Sequence, residues 1–63
     1  MDSYSAIQLL QRALVEHRMA LEEEIVRGKL KSFEEYKEKA GEISGILFAE
    51  REILDMLERI EIS

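Results

Sequence analysis

One short interruption between two long amphipathic segments constrains the fold of this chain more than any other feature. Gly28 follows the first segment in the position of a helix C-cap, where a positive φ is favoured. Ser32 and Glu35 have the spacing of a capping box, in which Ser32 accepts from the Glu35 amide and Glu35 reaches back to Ser32. Only three residues separate these two signals. The sequence therefore predicts an all-α, antiparallel two-helix hairpin.

The predicted boundaries follow from the same signals. We expect a first helix over residues 3–27, a turn over 28–32 and a second helix over 33–60, forming one hairpin domain within residues 1–63. Asp2, Ser3 or Ser5 is the N-cap of the first helix. The chain contains no proline to interrupt either segment.

Each predicted helix carries an apolar stripe at spacings of three, four or seven residues, and we expect these stripes to face each other. The first stripe contains Ile7, Leu10, Leu14, Leu21 and Ile25. The second contains Tyr36, Ala40, Ile43, Leu47, Leu54 and Leu57, widened by Ile46, Ile53 and Ile60.

A chain of 63 residues buries too little surface to be more than marginally stable alone. Disulfides, a structural metal or oligomerisation usually supply the difference. The chain has no cysteine and one histidine, so neither a disulfide nor a structural zinc site is available. We therefore expect the hairpin to dimerise into a four-helix bundle or to dock on a larger helical partner.

Apolar and small residues left over outside the facing stripes indicate where that contact lies. Glycine within a helix costs about 1 kcal/mol relative to alanine, so Gly41 and Gly45 predict a groove that another helix approaches closely. The alternatives are that the glycines are tolerated at a bend and that the alanines are simply good helix formers. The predicted interface residues are Gly41, Gly45, Phe48, Ala49, Ala6, Ala13, Ala20 and Met19.

Few residues suggest chemistry. Glu50 falls on the buried line of the second helix, where a carboxylate needs a partner, with Gln11, Arg12 or Arg51 as candidates. His17 lies at the edge of the first stripe, near Ser44, as a structural or pH-sensitive residue. No nucleophile-and-base pair, phosphate loop or set of metal ligands is present. We predict no catalytic site, no metal, no cofactor and no enzymatic activity.

Charge narrows the choice of partner. The net charge of −5 opposes nucleic acid, although five basic residues, Arg27, Lys29, Lys31, Lys37 and Lys39, gather around the turn. No apolar run is long enough to cross a bilayer, and no targeting segment is evident. We predict a soluble, intracellular protein that binds itself, a larger helical protein or both.

The second half of the chain carries a recognisable pattern. Phe33-Glu-Glu-Tyr36-Lys37, followed by Gly41-x-Ile43-x-Gly45-Ile46-x-x-Ala49-x-x-Glu52-Ile53-Leu54, resembles small uncharacterised two-helix proteins encoded by tailed bacteriophages. The resemblance covers mainly residues 28–57. It implies a phage-encoded structural, accessory or assembly protein, acting inside the host or in the virion, and it implies no catalytic residues.

Two other functions remain open. The chain could be a regulatory binder that occludes a host or phage protein through its acidic residues Glu22, Glu23 and Glu24. Its architecture also resembles the RNA-binding hairpin dimer Rop, which implies a nucleic-acid-binding dimer using the basic residues around the turn. No sequence motif supports that second likeness, which is one of fold alone.

Overall fold

A computed structural model describes residues 2–62 of the chain, without the side chain of residue 62. Helix α1 spans Ser3–Val26 and helix α2 spans Phe33–Ile62. The two helices pack along each other in a hairpin 47 Å long. The predicted all-α hairpin is confirmed; α1 ends one residue before the expected limit and α2 continues two residues beyond it.

The N-terminus of α1 is capped by Asp2, one of the three candidates. The Ser5 amide donates a hydrogen bond of 2.7 Å to the Asp2 carboxylate. This backbone hydrogen bond, together with one from the Ser5 side chain, lowers the pKa of Asp2. The carboxylate is therefore held in its charged form, which satisfies one of the free amides of the first turn.

Gly28 ends α1 in the predicted way, with a positive φ of 68°. Its amide donates to the Ile25 carbonyl at 3.1 Å, and the Lys29 amide donates to the Glu24 carbonyl at 3.3 Å. These two bonds form a Schellman motif, which closes the helix and turns the chain back on itself.

The start of α2 agrees with half of the predicted capping box. The Glu35 amide donates to Ser32 Oγ at 3.1 Å, as expected. The Glu35 carboxylate, however, accepts from the Lys31 amide at 3.1 Å, and the expected bond to the Ser32 amide was wrong. The glutamate side chain is long enough to reach one residue beyond the cap, so it satisfies a loop amide.

The core of the hairpin is small. Four apolar residues of the described chain are buried: Leu21 on α1, and Ile46, Ile53 and Leu57 on α2, which we call the core line of α2. Ile7, Leu14 and Ile25 of the predicted first stripe are half-buried. Much of the apolar surface of both helices therefore lies outside the contact between them.

The predicted stripes were partly wrong. Leu10, Tyr36, Leu47 and Leu54 were expected to face the other helix, yet they are 53%, 46%, 44% and 50% exposed. Consecutive residues on an α-helix point about 100° apart, so α2 carries two adjacent apolar lines. The Ile46–Ile53 line faces α1, and the Leu47–Leu54 line is turned to one side. Periodicity detects both lines but does not say which one the hairpin uses.

Candidate interaction surfaces

An ion pair between the helices occupies the middle of the hairpin. Arg18 of α1 donates from Nε and Nη2 to the two carboxylate oxygens of Glu50 on α2, the second bond being 3.1 Å long. Arg18 Nη1 also donates to Glu22 at 3.0 Å. The Arg18 and Glu50 side chains are only 19% and 15% exposed, so this bidentate pair is well shielded from water.

The predicted partners of Glu50 were wrong. Gln11, Arg12 and Arg51 were the candidates, but the partner is Arg18. Arg18 follows Gln11 by seven residues and therefore lies on the same side of α1, two turns further along. The expected side of the helix was right, and the expected position along it was not.

The Arg18–Glu50 contact is structural in character. The hydrogen bond with Glu50, and then the charges of Glu50 and Glu22, raise the pKa of Arg18 against the opposing effect of burial. Both oxygens of Glu50 are engaged by Arg18. A carboxylate held in this way fixes the register of the two helices.

His17 makes a looser contact between the helices. Its Nε2 lies 3.7 Å from the Glu42 carboxylate, and both side chains are about half exposed. The expected neighbour was Ser44, which lies two residues after Glu42 on α2. Near the turn, Lys39 Nζ lies 3.4 Å from Glu24.

One face of the hairpin, the small-residue face, carries six of the predicted interface residues. On α1 each alanine directly precedes a residue of the apolar stripe, and on α2 Gly45 directly precedes Ile46. These residues therefore lie on the same side of the hairpin as the contact between His17 and Glu42. Phe48 lies at the outer edge, 63% exposed. Met19, the remaining predicted residue, points away from this face. The small-residue face consists of Ala6, Ala13, Ala20, Gly41, Gly45 and Ala49.

Gly41 and Gly45 have no structural role within the hairpin. Helix α2 is continuous through both positions, and neither glycine has a positive φ. Apart from its chain neighbours and the backbone of its own helix, a Cβ atom added at either position would meet no atom within 4 Å. Neither a bend nor close packing against α1 accounts for these glycines.

Gly45→Ala tests this conclusion. Because the space is open and the backbone is helical, we expect the substitution to raise the free energy of unfolding by about 1 kcal/mol. Chemical denaturation followed by circular dichroism measures the change, with Gly28→Ala as the contrasting variant. Gly28 requires a positive φ, so alanine there is expected to lower stability by about 1 kcal/mol. A loss of stability in Gly45→Ala would mean that the helix needs glycine at this position.

The opposite face is formed by the second apolar line of α2. We call this line the α2 seam and define it as Tyr36, Ala40, Ile43, Leu47 and Leu54. Its spacings of four, three, four and seven residues are those of a coiled-coil heptad. At the turn end, Ile25 and Val26 of α1 join Tyr36, Ala40 and Ile43 around a shallow depression. The sequence identified these residues but placed them inside the hairpin.

Within residues 2–62, no three histidine, aspartate or glutamate side chains gather as metal ligands would. In the same part of the chain, neither helix combines the length and the hydropathy that crossing a membrane requires. The features that remain on the described surface are the small-residue face and the α2 seam.

Comparison with known proteins found no relative of this chain. No family model, no curated protein and no solved structure matches it.

Proposed function

We propose that this chain is a non-enzymatic helical interaction module whose hairpins pack on each other or on a larger helical protein. The supporting observation is its surface area. A compact protein of 7.4 kDa exposes about 4,200 Å², whereas the hairpin exposes 5004 Å². The excess of about 800 Å² reflects the elongated shape of the hairpin, with extents of 47 × 17 × 13 Å, which leaves much of both helices in contact with water.

The chemistry of the exposed surface supports the same function. Among the described residues, ten large apolar side chains are well exposed and no side chain is fully buried. A hairpin with so small a core gains stability when another helix covers its apolar faces. The small-residue face is suited to a helix of a larger protein, because positions without large side chains allow two backbones to approach closely.

Thermal unfolding at a series of protein concentrations tests this function. If association completes the fold, the unfolding midpoint rises with concentration, because the associated state is favoured by mass action. We expect the unfolding midpoint to rise by several degrees between about 5 and 500 μM protein. Circular dichroism at 222 nm measures the midpoint. A midpoint that is the same at every concentration would argue against self-association.

The biological setting that fits this module is the assembly of a tailed bacteriophage. The pattern from Phe33 to Leu54 supports this setting, because it resembles two-helix proteins of such phages. A small helical module without catalytic residues suits an accessory or assembly role, inside the host cell or in the virion.

Contacts within the chain weigh against the two other functions. Glu22, Glu23 and Glu24 form ion pairs with Arg18, Arg27 and Lys39, which offset part of the negative charge that a regulatory binder would present. The same pairs offset part of the positive charge of Arg27 and Lys39 in the basic cluster. A third cation, Lys37, lies 5.3 Å above the Phe33 ring. The apolar faces are better candidates for contact than either charged group.

A further inference from the structure

One side of α2 carries a line of residues that is rich in carboxylates. Its members recur at spacings of three or four residues, so they share one side of the helix. We call them the acidic line: Glu34, Glu38, Glu42, Gly45, Ala49, Glu52 and Met56. Four of these seven residues are exposed glutamates, and none is basic. The line borders α1, because Glu42 contacts His17 across the hairpin.

Most of the negative charge of the acidic line is not compensated within the hairpin. Two cations lie beside the line, and each belongs to an ion pair of its own, Lys39 with Glu24 and Arg59 with Asp55. Three glutamates of the line form no ion pair with any residue between 2 and 62: Glu34, Glu38 and Glu52. This side of α2 therefore presents a negative edge to a partner.

The facing line on α1 is mostly apolar. Its residues also recur at spacings of three or four, and they are Ala6, Leu10, Ala13, His17, Ala20 and Glu24. Leu10 on this line is 53% exposed, and Met56 on the acidic line is 48% exposed. The small-residue face thus combines an apolar edge on α1 with an acidic edge on α2, and neither edge is covered by the hairpin.

This combination of charge and hydropathy selects the kind of helix that can cover the face. Two acidic lines brought together would repel each other, so a second copy packed face to face is disfavoured here. An uncharged helix would cover carboxylates without giving them a partner, which is also unfavourable. A helix that is apolar on one stripe and basic along one edge of that stripe complements both edges.

We propose that the small-residue face binds an amphipathic helix of a larger protein, with Lys or Arg along one edge of its apolar stripe. This inference rests on the proposed interaction function and specifies its partner. The apolar stripe packs over Leu10, Met56 and the small residues between the two lines, and the basic edge follows the acidic line. Glu38 and Glu52 lie roughly 21 Å apart along α2, so the matching cations are separated by several helical turns.

Fluorescence anisotropy of a labelled synthetic peptide tests the proposal on the full chain. The probe is an amphipathic helix of about three heptads, with leucine and alanine in its stripe and lysine along one edge. The comparison peptide has glutamate in place of each lysine. We expect the lysine peptide to bind at least about tenfold more tightly, and its affinity to fall as salt is raised. Equal affinities for the two peptides would overturn the proposal.

Two matched variants locate the binding surface. Glu38→Gln/Glu52→Gln removes two charges from the acidic line, and we expect it to bind the lysine peptide about tenfold more weakly. Glu58→Gln/Glu61→Gln is the control, because it changes the net charge equally at exposed positions that continue the α2 seam. We expect less than about a twofold change there. Equal losses in both variants would mean attraction to the net charge alone and would overturn the proposal.

A second measurement reports on contact directly. The chain contains no tryptophan, so Leu10→Trp reports on the small-residue face and Leu54→Trp on the α2 seam. On addition of the lysine peptide, we expect the emission of Leu10→Trp to shift to the blue and that of Leu54→Trp to stay unchanged. A shift at Leu54→Trp alone would place the peptide on the seam and contradict the proposal.

These outcomes separate the basic partner from the proposed function. If the chain associates with itself but does not bind the lysine peptide, the interaction function stands and the basic partner fails. If the chain neither associates with itself nor binds either peptide, both the function and the inference fail.

Discussion

Ile53→Ala is expected to destabilise the hairpin strongly and to move its unfolding transition to a much lower urea concentration. Ile53 is one of four buried apolar residues in the described part of the chain, and truncation of a buried isoleucine to alanine costs about 2–5 kcal/mol. A chain of 63 residues has a total stability of only about 3–9 kcal/mol at the usual value per residue. Loss of one core side chain therefore removes a large share of the free energy of unfolding.

Far-UV circular dichroism during urea unfolding measures this effect. Val26→Ala is the control, because Val26 is 83% exposed and its truncation should change the free energy of unfolding by less than about 0.5 kcal/mol. If Ile53→Ala unfolded at the same urea concentration as the control, the core line would lie elsewhere on α2.

Glu50→Ala is the second substitution with a large expected effect. It leaves Arg18 shielded from water with Glu22 as its remaining partner, and the loss of the bidentate partner of a shielded charge is strongly destabilising. We expect the unfolding midpoint to fall by about 10 °C. Replacing both residues with apolar side chains of similar size, as in Arg18→Met/Glu50→Leu, should recover most of the loss.

The Arg59–Asp55 pair on α2 provides a matched control. Its side chains are 80% and 52% exposed, so Asp55→Ala should lower the midpoint by no more than about 2 °C. Differential scanning calorimetry compares the variants at one protein concentration. Equal, small shifts for Glu50→Ala and Asp55→Ala would show that the Arg18–Glu50 pair does not hold the helices in register.

The architecture could be predicted because its signals are local. The hydrogen bonds that end α1 at Gly28 and begin α2 at Ser32 join residues three to five positions apart. Helix ends of this kind have recognisable sequence patterns. The three residues between them left the helices no arrangement other than a hairpin.

The pairing of side chains across the hairpin could be predicted less well. Which of the two apolar lines on α2 faces α1, and which residue holds Glu50, depend on the rotation and offset of one helix against the other. A rotation of about 100° exchanges the Leu47–Leu54 line for the Ile46–Ile53 line without changing the hydrophobic pattern. Likewise, Gln11 and Arg18 lie on one line of α1, so spacing alone does not choose between them.

Because helix ends were predicted better than side-chain pairing, one interaction surface could be predicted from the sequence and the other could not. The small-residue face was visible in the sequence, because glycines within a helix are costly wherever the helix packs. The α2 seam was not recognised as a surface, since its residues fitted the intrachain stripe equally well. Only the exposure of Tyr36, Leu47 and Leu54 identifies them as available for contact.

The central claim is that the hairpin is completed by association. Sedimentation equilibrium of the unsubstituted chain, from low micromolar to millimolar concentration, tests it most directly. We predict a reversible rise from the chain mass of 7.4 kDa to about twice that value. A helical species that remains at 7.4 kDa over the whole range would contradict the claim.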